Sequence, residues 1–336
     1  MSLSVKTPGK LYIAGEYAVL VPKQGAILKN IPIYMTAEIS RSREYHIRSD
    51  MFDYAVDLTP DGNYRLIQEA IQTFALFLES RQQSLSPFQL LISGKMEKDG
   101  KKFGLGSSGS VLVLTLKALS ALYDLHLSDD YLFKLAAYTL IRLGDQGSMG
   151  DIACIVSDQL IYYQSFDRQQ IARWAEEMPL DDLLEKDWGY VIEPIQPAVS
   201  FDFLVGWTRQ PAITSQMIDE VKSSMTPAFL KETQTEVVQL CQSLKKGEKE
   251  AVKKALHRIT YLLEDLHPAI YTKPLKRLKA AAADLDVVCK SSGSGGGDCG
   301  IALSFSEKDS TALIDSWQQD GITLLYQEKG IRDDQS

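Results

Sequence analysis

The stretch KKFGLGSSGSVLV, Lys101 to Val113, constrains the fold more than any other part of the chain. Its glycines at 104, 106 and 109 satisfy G-x-G-x-x-G, the dinucleotide-binding pattern of a parallel α/β sheet. With Val111 added they also satisfy G-x-G-x-x-G-x-V, the phosphate loop of protein kinases. Each template commits the chain to a different architecture, so the neighbours of the loop decide between them.

A dinucleotide loop follows a strand directly, opens a helix, and leads to a second parallel strand ending in an acid. Here the mostly polar segment EKDGKKF separates the preceding strand pattern from the first glycine, and YDLHLSDDYLFKL leads into another helix. Asp124 has a tolerable spacing in the wrong setting. A protein-kinase loop needs V-A-I-K, H-R-D and D-F-G, and the chain has none of them. No G-x-x-x-x-G-K-[ST] occurs either. What remains is a loop of small residues opening the helix SGSVLVLTLKALSALY. Glycines allow close backbone approach to a ligand. The unpaired N–H groups of a first helical turn, at the positive end of the dipole, receive phosphate oxygens. Ser107, Ser108 and Ser110 add hydroxyls that can bond phosphate or a magnesium ion.

The 336 residues suggest two domains or one large one. Asn63 to Arg81 carries Ile67, Ile71, Phe74 and Leu78 at helical spacing, and Phe88 to Met96 alternates like a strand. Ser128, followed by Asp129 and Asp130, reads as a helix N-cap. The two prolines of EPIQPAVS, Glu193 to Ser200, mark a boundary, giving units 1–195 and 196–336. Beyond it come a strand at 201–208, helices near 231–245, 248–265 and 272–284, and strands at 287–290 and 300–305. A helix near 308–318 and a strand at 322–326 follow. With the first helices as one block this is β-α-β-β-α-β, a ferredoxin-like layer.

Composition narrows the function. A net charge of −8 with no basic stripe excludes a general nucleic-acid binder. The most apolar run, Ser110 to Leu125, carries Lys117 and is too short to span a bilayer. Cys154, Cys241, Cys289 and Cys299 form no C-x-x-C pair, so reduced thiols in a cytoplasmic protein are expected. Lys6 and Lys10 interrupt any signal-peptide core. His46, His126, His257 and His267 have no metal-ligand spacing.

Two further segments accompany the loop. KTPGKLYIAGEYAVL, Lys6 to Leu20, places Lys10 beside Gly9. KSSGSGGGDCGIAL, Lys290 to Leu303, has glycines at 293, 295, 296, 297 and 300, more than a hairpin requires. In this order the three resemble the motifs of the galactokinase–homoserine kinase–mevalonate kinase–phosphomevalonate kinase (GHMP) superfamily, over nearly the whole chain. The resemblance implies a two-domain α+β fold, with an N-terminal domain like domain 2 of ribosomal protein S5 and a C-terminal ferredoxin-like domain. It also implies ATP and Mg²⁺. One departure is Gly100, where members often have proline.

The first motif reads Gly15-Glu16-Tyr17 where several members have G-E-H, and GDQGSMGDIAC, Gly144 to Cys154, keeps Ser148 and Asp151. These features resemble the branch whose acceptor is (R)-5-phosphomevalonate, with a mevalonate kinase, a diphosphomevalonate decarboxylase or an inactive binding protein as alternatives. The resemblance implies ATP contacts from Lys101, Gly104, Leu105, Gly106, Ser107, Ser108, Gly109 and Ser110, with Ser108 on Mg²⁺. Lys10, Lys102 and Asp151 are the expected catalytic residues. Lys10, Tyr17, Ser148, Thr214, Ser215, Gly293, Ser294, Gly295 and Gly296 are expected around the acceptor, in a monomer or homodimer.

Overall fold

The computed structural model describes residues 2–212 and 215–331, without the side chains of 215–217. The spine of the first half is the 17-residue strand Gly25–Arg41. It pairs antiparallel with Leu3–Ala14 along most of its length, with Phe88–Ser93 at its far end and with Ile161–Gln164 at its start. Short strands His46–Ser49, Ala55–Val56 and Val191–Pro194 complete a seven-stranded sheet. Sequence pattern alone does not reveal the spine, because Pro32 interrupts it. The register slips between Pro8 and Gly9, opposite Tyr34 and Ile31, so Pro32 sits where the ladder is already broken.

The helix Ser107–Leu122 lies against this sheet and is buried at nearly every position from Gly109 to Ser120. It packs on the first two strands and on helices Arg65–Glu79, Asp129–Arg142 and Gly150–Ser157, the arrangement a helix apolar on all sides requires. Ile67, Ile71, Phe74 and Leu78 all point into this core. Ser128 caps its helix by accepting from the Tyr131 N–H, with Asp129 and Asp130 in the first turn.

The second sheet runs Val287–Ser291, Cys299–Ser304, Phe201–Trp207, Thr323–Ile331, all antiparallel. In chain order this is 2-3-1-4, the split βαβ arrangement expected from the sequence. The long helices Pro227–Lys246 and Lys249–Leu266 form an antiparallel pair joined at Gly247, whose φ of 77° ends the first of them. The expected helix at 272–284 stops at Ala280, and the last strand continues to Ile331 because it stays paired with Phe201. Helices Arg168–Glu177, Leu180–Glu185 and Ser215–Ser223 were not expected.

The second sheet meets the first half of the chain through specific contacts. The Trp207 indole N–H donates to the Lys102 carbonyl at 3.2 Å, and its ring meets Phe103 edge-on. Lys29 pairs with Glu328 at 2.8 Å.

Candidate active site

Gly104 and Gly106 have φ of 79° and 78°, a left-handed conformation that turns the chain into the helix at Ser107. The first helical hydrogen bond runs from the Ser110 N–H to the Gly106 carbonyl, and no side chain caps the turn. The N–H groups of Ser107, Ser108 and Gly109 are therefore left for a ligand. Two other segments converge on this turn so closely that side chains are excluded. A Cβ at Gly9 would lie 2.9 Å from the Leu105 Cβ, one at Gly106 2.6 Å from the Lys10 Cε, and one at Gly104 2.5 Å from the Asp298 carboxylate. The Lys10 N–H donates to the Leu105 carbonyl at 2.8 Å, fixing the first strand against the loop.

Met149, with φ of 66°, starts the fourth segment, and a Cβ at Gly109 would lie 3.6 Å from an Asp151 oxygen. That places the Asp151 carboxylate over the first turn of the loop helix. Ser148 is buried, shares a 2.9 Å hydrogen bond with the Tyr12 hydroxyl, and accepts at its carbonyl from Tyr163. Burial, then the Asp151 charge, pushes the Tyr12 phenol up, so it stays neutral. Ser292 bonds both the N–H and the carbonyl of Tyr12, tying the third motif to the first. Glu16 forms a buried ion pair with Lys290. The Tyr17 hydroxyl donates to the Ser294 carbonyl at 2.6 Å.

These elements enclose two adjoining cavities. One of about 260 Å³ is lined by Lys102, Gly104 to Ser108, Asp298 and the third loop. The other, of about 450 Å³, is lined by Tyr12, Tyr17, Asp145 to Ser148 and Lys222. Lys10, Asp151, Gly293 and Ser294 line both. A cation and a carboxylate thus stand where the two spaces meet.

Several expected residues take other duties. Lys101 and Lys102 lie on a two-stranded ribbon with Glu97 and Lys98, and alternation sends only Lys102 to the loop cavity. Ser110 is fully buried, its hydroxyl shared with Thr7 and the Pro8 carbonyl, so it offers nothing to a phosphate. The Gly296 N–H donates to the Ile270 carbonyl, and Gly296 lines neither cavity. Leu105 presents backbone only, its side chain being buried. Thr214 and the Ser215 side chain lie outside the described residues. Asp298 was missed. Burial raises its carboxyl above the ordinary range, opposed by the Ala212 N–H and by Lys10 and Lys102. Its only sequence cue is an acid inside a glycine run.

The donors suit Mg²⁺. Ser108 is exposed at the helix start, and Asp151 lines the same cavity, an all-oxygen pair to which phosphate oxygens and water would be added.

Comparison with known proteins agrees with this geometry. Residues 65–159 match the family model for the GHMP kinases N terminal domain, and 240–323 that for GHMP kinases C terminal. The phosphomevalonate kinase of Streptomyces sp. (strain CL190) is 31% identical, the match covering 95% of this chain and 94% of that one. The chain belongs to the phosphomevalonate kinase family of GHMP kinases. A solved Streptococcus pneumoniae phosphomevalonate kinase, in complex with phosphomevalonate and AMPPNP, is 52% identical with a TM-score of 0.96. That match covers 97% of this chain and 99% of that one. The mevalonate kinase of Methanococcus jannaschii, at 20% identity, TM-score 0.74 and 98% of each chain, shares the fold alone.

Proposed function

We propose that the chain transfers the γ-phosphoryl group of ATP to the phosphate of (R)-5-phosphomevalonate, giving ADP and 5-diphosphomevalonate for isoprenoid synthesis. The observation carrying this reading is the junction of the two cavities at Lys10, between the unpaired N–H groups of the loop helix and the pocket of Tyr17 and Ser148.

The acceptor needs no strong base. The second pKa of a phosphate monoester is about 6, so its attacking oxygen is already mostly anionic at neutral pH. The barrier is the approach of two polyanions, and catalysis consists of positioning and positive charge. Lys10 sits at the junction to neutralise the acceptor phosphate and the transferring phosphoryl. Lys102 reaches the loop cavity from the ribbon to meet the β- and γ-phosphates. Ser107, Ser108 and Gly109 supply backbone donors to the triphosphate, aided by Gly104 and Gly106. Mg²⁺, held by Ser108 with Asp151, would neutralise phosphate charge. Asp151 orients Lys10 rather than abstracting a proton. Tyr17, Ser148, Gly293, Ser294 and Gly295 shape the acceptor end.

The same reading divides the chain at 195/196 and places it in the cytoplasm, with a monomer or homodimer as its working state. Among the described residues no helix is long and apolar enough to cross a membrane. A coupled ADP-release assay against phosphomevalonate, mevalonate, homoserine and galactose tests the assignment. Turnover is expected with phosphomevalonate alone. Turnover on mevalonate but not on its phosphate would overturn it.

A further inference from the structure

The acceptor in the reading above carries negative charge at both ends, a phosphate at one and a carboxylate at the other. Lys10 and Lys102 face the phosphate end. The larger cavity has just two cationic residues in its described lining, Lys10 and Lys222. Lys10 lines both cavities and faces the reacting phosphates, whereas Lys222 lines only the larger one.

The acids in that lining leave Lys222 free to act. Glu16 is neutralised by Lys290 within a fully buried pair. Asp145 accepts the Gly147 N–H at 2.6 Å and holds its own loop. Asp151 lies at the Lys10 end. Asp219, one turn before Lys222 on the helix Ser215–Ser223, is 3.5 Å from its ammonium and 74% exposed. Such an exposed pair within one helix is worth a few tenths of a kcal/mol, so an incoming carboxylate displaces it at little cost. The Lys222 side chain is itself only 30% exposed, so a carboxylate meeting it there would be partly withdrawn from water.

We infer that Lys222 binds the carboxylate of the acceptor and so fixes which end of it reaches Lys10. This rests on the acceptor proposed above. The pocket then selects a molecule with anions at both ends, and Lys222 acts in binding rather than in the transfer itself.

The test crosses a variant with a substrate analogue. Lys222→Met should raise KM for phosphomevalonate about 10- to 100-fold, the range for losing one charged hydrogen bond. The expected kcat stays within about 3-fold and KM for ATP is unchanged, with Lys222→Arg retaining most of the affinity. The primary amide of phosphomevalonate should bind wild-type enzyme weakly by a similar factor, and Lys222→Met should add no further loss. Melting temperatures matching wild type exclude misfolding. Lys222→Gln serves as a second neutral variant and should behave as Lys222→Met does. Unchanged KM in the neutral variants, or losses that multiply when variant and amide are combined, would overturn the assignment of Lys222 alone. Failure of the wild-type enzyme to turn over phosphomevalonate would overturn the acceptor itself, and with it this inference.

Discussion

Glu16 and Lys290 form the most deeply buried ion pair among the described residues, with side chains 2% and 1% exposed. Glu16 lies in the turn after the first strand, and Lys290 on the strand Val287–Ser291 of the other sheet, so the pair bridges the two halves. Lys290 also donates to the Ser291 carbonyl at 2.6 Å, while one Glu16 oxygen has no partner among the described residues. Burial pulls the Lys290 ammonium down from its ordinary pKa and Glu16 pulls it back up, so its charge depends on that carboxylate. Removing one member leaves a buried charge uncompensated, at a cost of about 3–5 kcal/mol. Lys290→Met and Glu16→Gln should each lose that amount, measured by urea unfolding with tryptophan fluorescence. In thermal melts this corresponds to about 6–20 °C, at roughly 2–4 °C per kcal/mol for domains of this size. The double variant removes both charges and should cost about 2–3 kcal/mol less than the sum of the singles. Because Glu16 precedes Tyr17, which holds the Ser294 carbonyl, Lys290→Met should also raise KM for the acceptor. Two single variants that each lose under about 1 kcal/mol, with additive effects, would refute the coupling.

Lys10→Met and Lys102→Met should lower kcat about 100- to 1,000-fold, by analogy with loss of one transition-state donor, while Asp151→Asn costs less. Abolished turnover in Asp151→Asn, with folding and Mg²⁺ binding intact, would show that a base is needed. Gly106→Ala should lose about 1–2 kcal/mol of stability from its positive φ. Its Cβ would also push Lys10 aside, so kcat should fall. Gly100→Ala has similar backbone strain with open space around it, and should leave kcat unchanged. Burial raises the Asp298 carboxyl above its ordinary 3.8, so the folded chain keeps that proton to higher pH than the unfolded one. Its contribution is full below 3.8 and is lost as pH rises through the folded value. The stability of wild type minus Asp298→Asn should therefore decline across that window, which a series of urea midpoints from about pH 3 to 7 would measure.

The ferredoxin-like half was legible because its elements announce themselves locally, as the helices near 231–245 and 248–265 do. The first sheet was less so. Its spine carries Pro32 at a slip in register, and only the paired strand shows why proline is tolerated there. Lys10 and Asp151 were legible as motif positions, and the structure brings both to the junction of the cavities. What a sequence withholds is which way a residue faces once its neighbours are packed. Ser110 looks like a third loop hydroxyl until Thr7 is found opposite it. Lys101 and Lys102 are equivalent in composition, and ribbon alternation separates them. Asp298 and Lys222 carry no motif of their own; only folding brings them to Lys10.

Under the proposed mechanism, the environment of Lys10 gives the aspartate at the junction a purpose other than that of a base. Lys10 is 8% exposed and makes no ion pair within 4 Å among the described residues. Its ammonium lies 5.0 Å from the centre of the Tyr12 ring, whose face offers a weak attraction. Burying a cation is costly unless negative charge lies near it. Asp151 and Asp298 line the same cavity and supply it from opposite sides, one over the loop helix and one against Gly104. In the proposed transfer the same carboxylates oppose two incoming polyanions, and a cation between the reacting phosphates helps to offset that repulsion. Lysine at position 10 is held there by its backbone bond to Leu105 and by the absence of a side chain at Gly106. The glycines of the loop therefore position the Lys10 ammonium as well as the start of the helix.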